Sequence, residues 1–108
     1  MVYCYSGDVF QVVVDVRKNS ETFGEVFACE IGEKNPKAVW VPPGCANGFC
    51  VVSKSDAVYG YAVTAEFEAG KETGLLWNDP KIVTKINWPI QNPILSDKDK
   101  INPLLESL

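Results

Sequence analysis

The 108-residue sequence contains no histidine, and its four cysteines form no CxxC pair. Imidazoles and closely spaced thiolates are the usual ligands of zinc in proteins, so a metal site is not expected. The cysteines are Cys4, Cys29, Cys45 and Cys50. Because Cys29 lies within an apolar run, we interpret it as a small buried hydrophobic residue.

Long apolar runs and basic clusters are also missing. No segment has the length of a membrane span, and the start, Met1 to Cys4, has no basic region followed by an apolar run, as a secretory signal would. The net charge is −4, and an acidic chain is a poor partner for nucleic-acid phosphates. The sequence therefore predicts a cytoplasmic protein that binds neither nucleic acid nor a membrane.

The chain does contain a series of short segments rich in β-branched residues. Strands are predicted over 9–16, 25–31, 38–41, 48–52 and 57–63. Turn residues such as Asn35-Pro36 and Pro42-Pro43-Gly44 separate them at intervals of about ten residues, a pattern typical of an all-β barrel or sandwich. The length suits a single domain over residues 1–108.

The composition changes after about Phe67, where prolines punctuate an irregular tail. These prolines are Pro80, Pro89, Pro93 and Pro103. A short helix is predicted over 96–100, with Ser96 as its N-cap.

Four motifs follow one another along the chain. The first, G-D-V-F-Q-V-V-V-D-V-R-K-N-S-E-T-F-G, spans 7–24, and the second, V-P-P-G-C-A-N-G-F, spans 41–49. The third is W-N-D-P at 77–80; the fourth is I-N-W-P at 86–89, followed by P-I-L-S-D-K-D and P-L-L. In order and spacing they resemble the dTDP-4-dehydrorhamnose 3,5-epimerase family, whose first two motifs read G-E-V-F-D-V-A-V-D-x-R-K-x-S-x-T-F-G and I-P-x-G-F-A-H-G-F.

The resemblance implies a cupin, a double-stranded β-helix or jelly-roll barrel, here followed by a short irregular or helical tail. It also implies a homodimeric isomerase of deoxysugar biosynthesis, of the dTDP-rhamnose type, that needs no cofactor and no metal. The substrate would be a dTDP-4-keto-6-deoxy sugar, epimerised at the carbons beside its ketone. Compared with the family, the chain lacks the amino-terminal segment that carries the base histidine.

In such a reaction a base removes a proton beside the carbonyl and an acid returns one on the opposite face. The resemblance places Tyr61 as the acid, and a phenol is protonated at neutral pH. Tyr59 has the same side-chain direction, because strand residues two apart share a face. Without the resemblance, a barrel-wall aromatic would be the simpler interpretation of Tyr61.

The resemblance implies four further site residues. Asp99 matches the aspartate that orients the base, and Asn47 stands where the family has a second histidine, next to the sugar. Glu72 and Lys98 match positions that contact the nucleotide, and Lys98 could pair with the diphosphate. A capping or surface role competes for Asp99, and an ordinary surface charge competes for Glu72 and Lys98.

Asn47 can donate a hydrogen bond, but it cannot take up a proton at neutral pH. Asp15 or Glu25 could replace the base only if burial raised the pKa of its carboxyl group. A separately encoded segment or a partner subunit could also supply the base. Two hypotheses follow: an epimerase acting on dTDP-4-keto-6-deoxy sugars, or a non-catalytic sugar-nucleotide-binding or assembly subunit with the same fold.

Overall fold

A computed structural model describes residues 1–62, 74–90 and 93–107. It contains two three-stranded antiparallel sheets and few helices. The first sheet has the order β4-β1-β6 and the second β3-β2-β5. The strands are β1 (Val2–Ser6), β2 (Asp8–Asp15), β3 (Val26–Gly32), β4 (Ala38–Val39), β5 (Cys45–Val51) and β6 (Val58–Tyr61). Within these described ranges, no helix is both long and apolar enough to cross a membrane.

Strand β2 is the centre of the second sheet and is buried along nearly its whole length. Side chains at its odd positions, such as Val9 and Val13, pack between the two sheets with Val2, Ile31 and Val39. This burial on both sides explains why the sequence of β2 is almost continuously apolar instead of alternating.

The even positions of β2 face a second core, which the carboxy-terminal tail covers. Val12 and Val14 pack against Ile82, Ile86 and Leu105. The tail contains two short helices, α1 (Val83–Ile86) and α2 (Asp97–Lys100), and a 3-10 turn, Leu105–Ser107.

The W-N-D-P and I-N-W-P motifs hold the tail together. The buried Asp79 carboxylate accepts hydrogen bonds from the backbone N–H groups of Leu105, at 2.6 Å, and Lys81, at 2.8 Å. The Trp88 indole N–H donates to the carbonyl oxygen of Trp77 at 2.9 Å, and its ring packs edge-on against Phe10 of β2. These contacts fix the tail against the outer face of the second sheet.

Gly7 carries the chain from the first sheet into the second, with a φ of 73° that favours glycine. A Cβ atom at this position would lie 2.6 Å from the carbonyl oxygen of Asp56. The lack of space for a side chain and the backbone angle both require glycine between β1 and β2.

The turn after β2 is organised by the buried carboxylate of Asp15. It pairs with Arg17, whose Nε and Nη2 lie 3.0 Å from its two oxygens, and it accepts hydrogen bonds from the hydroxyls of Ser20 and Thr22. The Arg17 guanidinium, followed by these hydroxyls, holds the pKa of Asp15 well below its usual range. The D-V-R-K-N-S-E-T part of the first motif therefore stabilises the turn, and we call the contacts of Asp15 with Arg17, Ser20 and Thr22 the clamp.

The structure confirms the all-β cupin-type fold and most predicted elements. The helix at α2 begins after Ser96, whose hydroxyl accepts from the Asp99 N–H, as predicted. The prediction missed β1 and α1 and began β5 three residues late, at Gly48 instead of Cys45. Strand β4 ends at Val39, earlier than the predicted residue 41 and before the prolines at 42 and 43.

Removing the side chain of Ile82 should destabilise the fold because it is 1% exposed beneath the second sheet. We expect Ile82→Ala to lower the free energy of unfolding by about 2–5 kcal/mol in urea denaturation. Ile94→Ala is the matched control: this side chain is fully exposed, so the change should stay within about 0.5 kcal/mol. Equal effects of the two substitutions would contradict the packing described for the tail.

Acid should remove the stabilisation that Asp15 provides. Its folded pKa is depressed, so its contribution is present above the unfolded value, about 3.9, and is lost as the pH falls towards the folded value. We expect the free energy of unfolding of Asp15→Asn to fall less than that of the wild type between about pH 6 and about pH 2. The control, Asp97→Asn at an exposed carboxylate, should follow the wild type; identical pH profiles for Asp15→Asn and the wild type would refute the clamp.

Candidate functional site

Strand β5 positions Asn47 at the edge of the second sheet. In the antiparallel register Asn47 lies opposite Val13 and Phe49 lies opposite Gln11. Because these positions alternate with Ala46 and Gly48, their side chains share the face that looks towards the first sheet. Asn47 is exposed, whereas Gln11 is completely buried.

Three polar side chains meet between the sheets. The Tyr59 hydroxyl donates to Gln11 Oε1 at 2.7 Å, Gln11 Nε2 donates to Asn47 Oδ1, and Asn47 Nδ2 donates to the Tyr59 hydroxyl at 3.4 Å. Gln11 Nε2 also donates to the carbonyl oxygen of Val12 at 3.3 Å. We call Gln11, Asn47 and Tyr59 the amide–phenol ring.

The half-buried phenol of Tyr59 is held against an aromatic ring. Its ring stacks on Phe49 with the centroids 3.8 Å apart and the planes 16° from parallel. Burial raises the pKa of Tyr59, and the hydrogen bonds from Asn47 and to Gln11 offset only part of that increase. Tyr59 is therefore a neutral phenol whose hydroxyl is occupied by its neighbours.

A groove of about 1010 Å³ lies between β5 and the carboxy-terminal tail. We call it the tail groove. Three predicted site residues line it, namely Asn47, Lys98 and Asp99, together with the indoles of Trp77 and Trp88. The groove thus combines an ammonium and a carboxylate with aromatic surfaces, a combination that suits a polar ligand with a planar part. Asn47 borders the groove from β5, while its side chain lies on the opposite face of that strand.

Tyr61, the predicted acid, lies at the end of β6 in the first sheet. It is opposite Val2 and shares the face of Tyr59, so its side chain projects from the inner face of that sheet. It is 66% exposed and is not among the described residues that line the tail groove. The structure therefore places Tyr61 outside the groove that Lys98 and Asp99 line, but on the inner side that the Asn47 side chain also faces.

The remaining residues proposed from the sequence are Asp99, Glu72 and the alternative bases Asp15 and Glu25, and the structure places them in different parts of the molecule or does not describe them. The Asp99 backbone N–H is capped by Ser96, while Asp99 itself remains exposed at the groove. Glu72 lies outside the described residues. The alternative bases Asp15 and Glu25 both line a separate groove of about 660 Å³ between β3 and β4. Asp15 is excluded as a base because Arg17 lowers its pKa, the opposite of what a base requires.

The sequence analysis missed Gln11, which joins Asn47 to Tyr59. One signal pointed to it: Gln11 is the single polar residue between Val9 and Val14 in a strand that is otherwise apolar. A polar side chain that is fully buried requires hydrogen-bond partners, so a polar cluster at this point could have been predicted.

Known proteins are similar to this chain in sequence and in fold. The family model for dTDP-4-dehydrorhamnose 3,5-epimerase matches residues 1–107. A relative from Shigella flexneri with that name is 43% identical over 99 residues, which cover 92% of this chain and 53% of the relative. The chain thus spans about half the length of the relatives that it matches.

Solved structures agree with the sequence match. A Bacillus anthracis dTDP-4-dehydrorhamnose 3,5-epimerase with TDP and PPi bound is 37% identical, with a TM-score of 0.89 over 95% of this chain and 57% of that one. A Legionella pneumophila dTDP-6-deoxy-D-glucose-3,5-epimerase in complex with dTDP-4-keto-L-rhamnose is 34% identical, with a TM-score of 0.89 over 97% of this chain and 55% of that one. This chain belongs to the dTDP-4-dehydrorhamnose 3,5-epimerase family.

Proposed function

We propose that this chain carries the carboxy-terminal part of a sugar-nucleotide epimerase of dTDP-rhamnose-type biosynthesis. The observation that supports this most directly is the tail groove, where Asn47, Lys98 and Asp99 line one cavity in a chain of this family. A cytoplasmic location, expected from the sequence, belongs to the same proposal.

Each proposed site residue has a chemical role. Lys98 pairs with the diphosphate of a dTDP sugar, since an ammonium attracts phosphate oxygens. Asn47 donates a hydrogen bond to a sugar oxygen. Asp99 orients a base, and Glu72 contacts the nucleotide. Tyr61 is the acid that returns a proton to a carbon beside the ketone, acting from the inner face of the first sheet.

The alternative function is sugar-nucleotide binding without chemistry. It is favoured by Asn47, because an amide at the groove cannot accept a proton at neutral pH. The two functions differ in one observable: an epimerase exchanges the hydrogens beside the ketone with solvent, whereas a binding subunit does not.

Solvent exchange therefore tests the function. We expect that incubation with dTDP-4-keto-6-deoxyglucose in deuterated water places deuterium on the sugar carbons beside the ketone, as detected by mass spectrometry. Binding of the sugar nucleotide without deuterium uptake would establish the binding function instead. Absence of both binding and exchange would contradict the proposal in either form.

The acid role of Tyr61 can be tested by removing its phenol oxygen. We expect Tyr61→Phe to lower the rate of epimerisation by about 10²–10⁴-fold, the usual contribution of a general acid, while the Kd for the sugar nucleotide changes little. Tyr5→Phe is the matched control, since Tyr5 is an equally exposed tyrosine on neighbouring strand β1. Full turnover by Tyr61→Phe would remove Tyr61 from the acid role.

We also propose that two copies of the chain associate. Large aromatic side chains remain exposed among the described residues, including Tyr5, Phe27 and Trp40, and a chain of this size gains stability by covering such surface. Sedimentation equilibrium should give twice the monomer mass; a monomer at micromolar concentration would contradict this part of the proposal.

A further inference from the structure

We propose that Gln11 is a positioning residue that orients the Asn47 amide, so that position 47 presents only a hydrogen-bond donor to a ligand on the inner face of β5, the face that looks towards the first sheet. This inference rests on the proposed function for the identity of the ligand and extends it to a residue buried behind the site. It depends on the direction of each hydrogen bond in the amide–phenol ring.

The donor and the acceptor of each hydrogen bond in the amide–phenol ring are set by one group that can only accept, the carbonyl oxygen of Val12. The carbonyl oxygen of Val12 can only accept, and it lies 3.3 Å from the Gln11 side chain, so the atom facing it must be the Nε2 nitrogen. The second hydrogen of Nε2 then points at Asn47, whose contacting atom must be the Oδ1 oxygen.

The remaining bonds follow from the first two. With Oδ1 of Asn47 held by Gln11, the Nδ2 group faces the Tyr59 hydroxyl, which accepts at 3.4 Å. That hydroxyl donates its own hydrogen to Gln11 Oε1 at 2.7 Å. The ring is closed, and reversing either amide would place two donors or two acceptors against each other and leave a buried polar group unsatisfied.

The closed ring leaves one polar group for a ligand. Of the two Nδ2 hydrogens of Asn47, one is directed at Tyr59 and one is left for a ligand on the inner face of β5, where this exposed side chain lies. The Asn47 oxygen is already engaged by Gln11. The chain therefore offers an N–H to a carbonyl or hydroxyl oxygen of the sugar, and it offers no acceptor at this point.

The two amides also replace two ionisable groups together. The family motifs have aspartate where this chain has Gln11 and histidine where it has Asn47, and the structure shows these two positions in direct contact. A carboxylate and an imidazole in contact form a titratable pair, whereas two amides do not. The substitution at one position is therefore matched by the substitution at the other, and donation from Asn47 should not depend on pH.

Gln11→Glu tests the orientation because glutamate changes its role with pH. A buried carboxyl group has a raised pKa. When it is ionised it only accepts, so Asn47 must rotate to donate to it and turn its oxygen towards the ligand. When it is protonated it can accept from Tyr59 and donate to Asn47, as Gln11 does. The titratable side chains facing position 11 are Tyr59, which donates to it, and Cys29, its register partner in β3. Burial raises the pKa of both groups, so both stay neutral in mild acid.

We expect Gln11→Glu to bind dTDP-4-keto-6-deoxyglucose at least about tenfold more weakly than the wild type at pH 8 and within about threefold of it at pH 5. The ratio of Kd values, variant to wild type, is taken at each pH so that titration of the diphosphate cancels. Gln11→Met, which has a similar size but no polar group, should bind weakly at both pH values. A pH-independent ratio for Gln11→Glu, or wild-type affinity in Gln11→Met, would overturn the inference.

Asn47→Asp provides a second route if a substitution at the buried position prevents folding. Aspartate keeps an acceptor against Gln11 but replaces the donor that faces the ligand. We expect it to lose affinity for the keto-sugar nucleotide relative to dTDP alone, and an unchanged ratio of these affinities would contradict the inference.

The ligand-free protein separates this inference from the proposed function. In NMR spectra of Gln11→Glu, the side-chain amide resonances of Asn47 should shift with the titration of Glu at position 11, and in the wild type they should stay constant. If they shift but no nucleotide binds to the wild type, the proposed function fails while the orientation stands. If they do not shift, the orientation is wrong whatever the protein binds.

Discussion

Burial of β2 on both faces is the constraint on which the rest of the structure depends. Its odd side chains fill the space between the sheets, and its even side chains are covered by the tail. A strand in this position must be apolar almost throughout, and each polar residue in it must find a partner. Gln11 and Asp15 both do so, and they become the centres of the two polar clusters described above.

The two clusters have opposite characters because their partners differ. Asp15 faces the Arg17 guanidinium and two hydroxyls, which stabilise its charge and close the turn. Gln11 faces an amide and a phenol, which carry no charge, and it joins them between the two sheets. Asp15, at the end of β2, thus stabilises the fold, and Gln11, in the middle of the strand, contacts the proposed site residue Asn47.

The sequence predicted the fold better than the arrangement of the site. Regular turns and β-branched runs revealed most strands, and the motifs revealed the family. Strand β1 was missed because Tyr3 and Tyr5 alternate with small polar residues and no turn signal precedes them. The contact of Gln11 with Asn47 could not be read from the chain, since 36 residues separate them and only the register of β2 with β5 brings them together. The position of Tyr61 outside the tail groove has a similar origin, because the groove lies on the outer face of the second sheet and Tyr61 projects from the inner face of the first.

The central claim is that the surface formed by β5 and the tail binds a sugar nucleotide. Chemical-shift mapping during titration with dTDP-4-keto-6-deoxyglucose tests it most directly. The largest changes are predicted at Asn47, Trp88 and Lys98. Changes confined to the groove between β3 and β4, around Trp40 and Lys37, or no changes at saturating ligand, would contradict the claim.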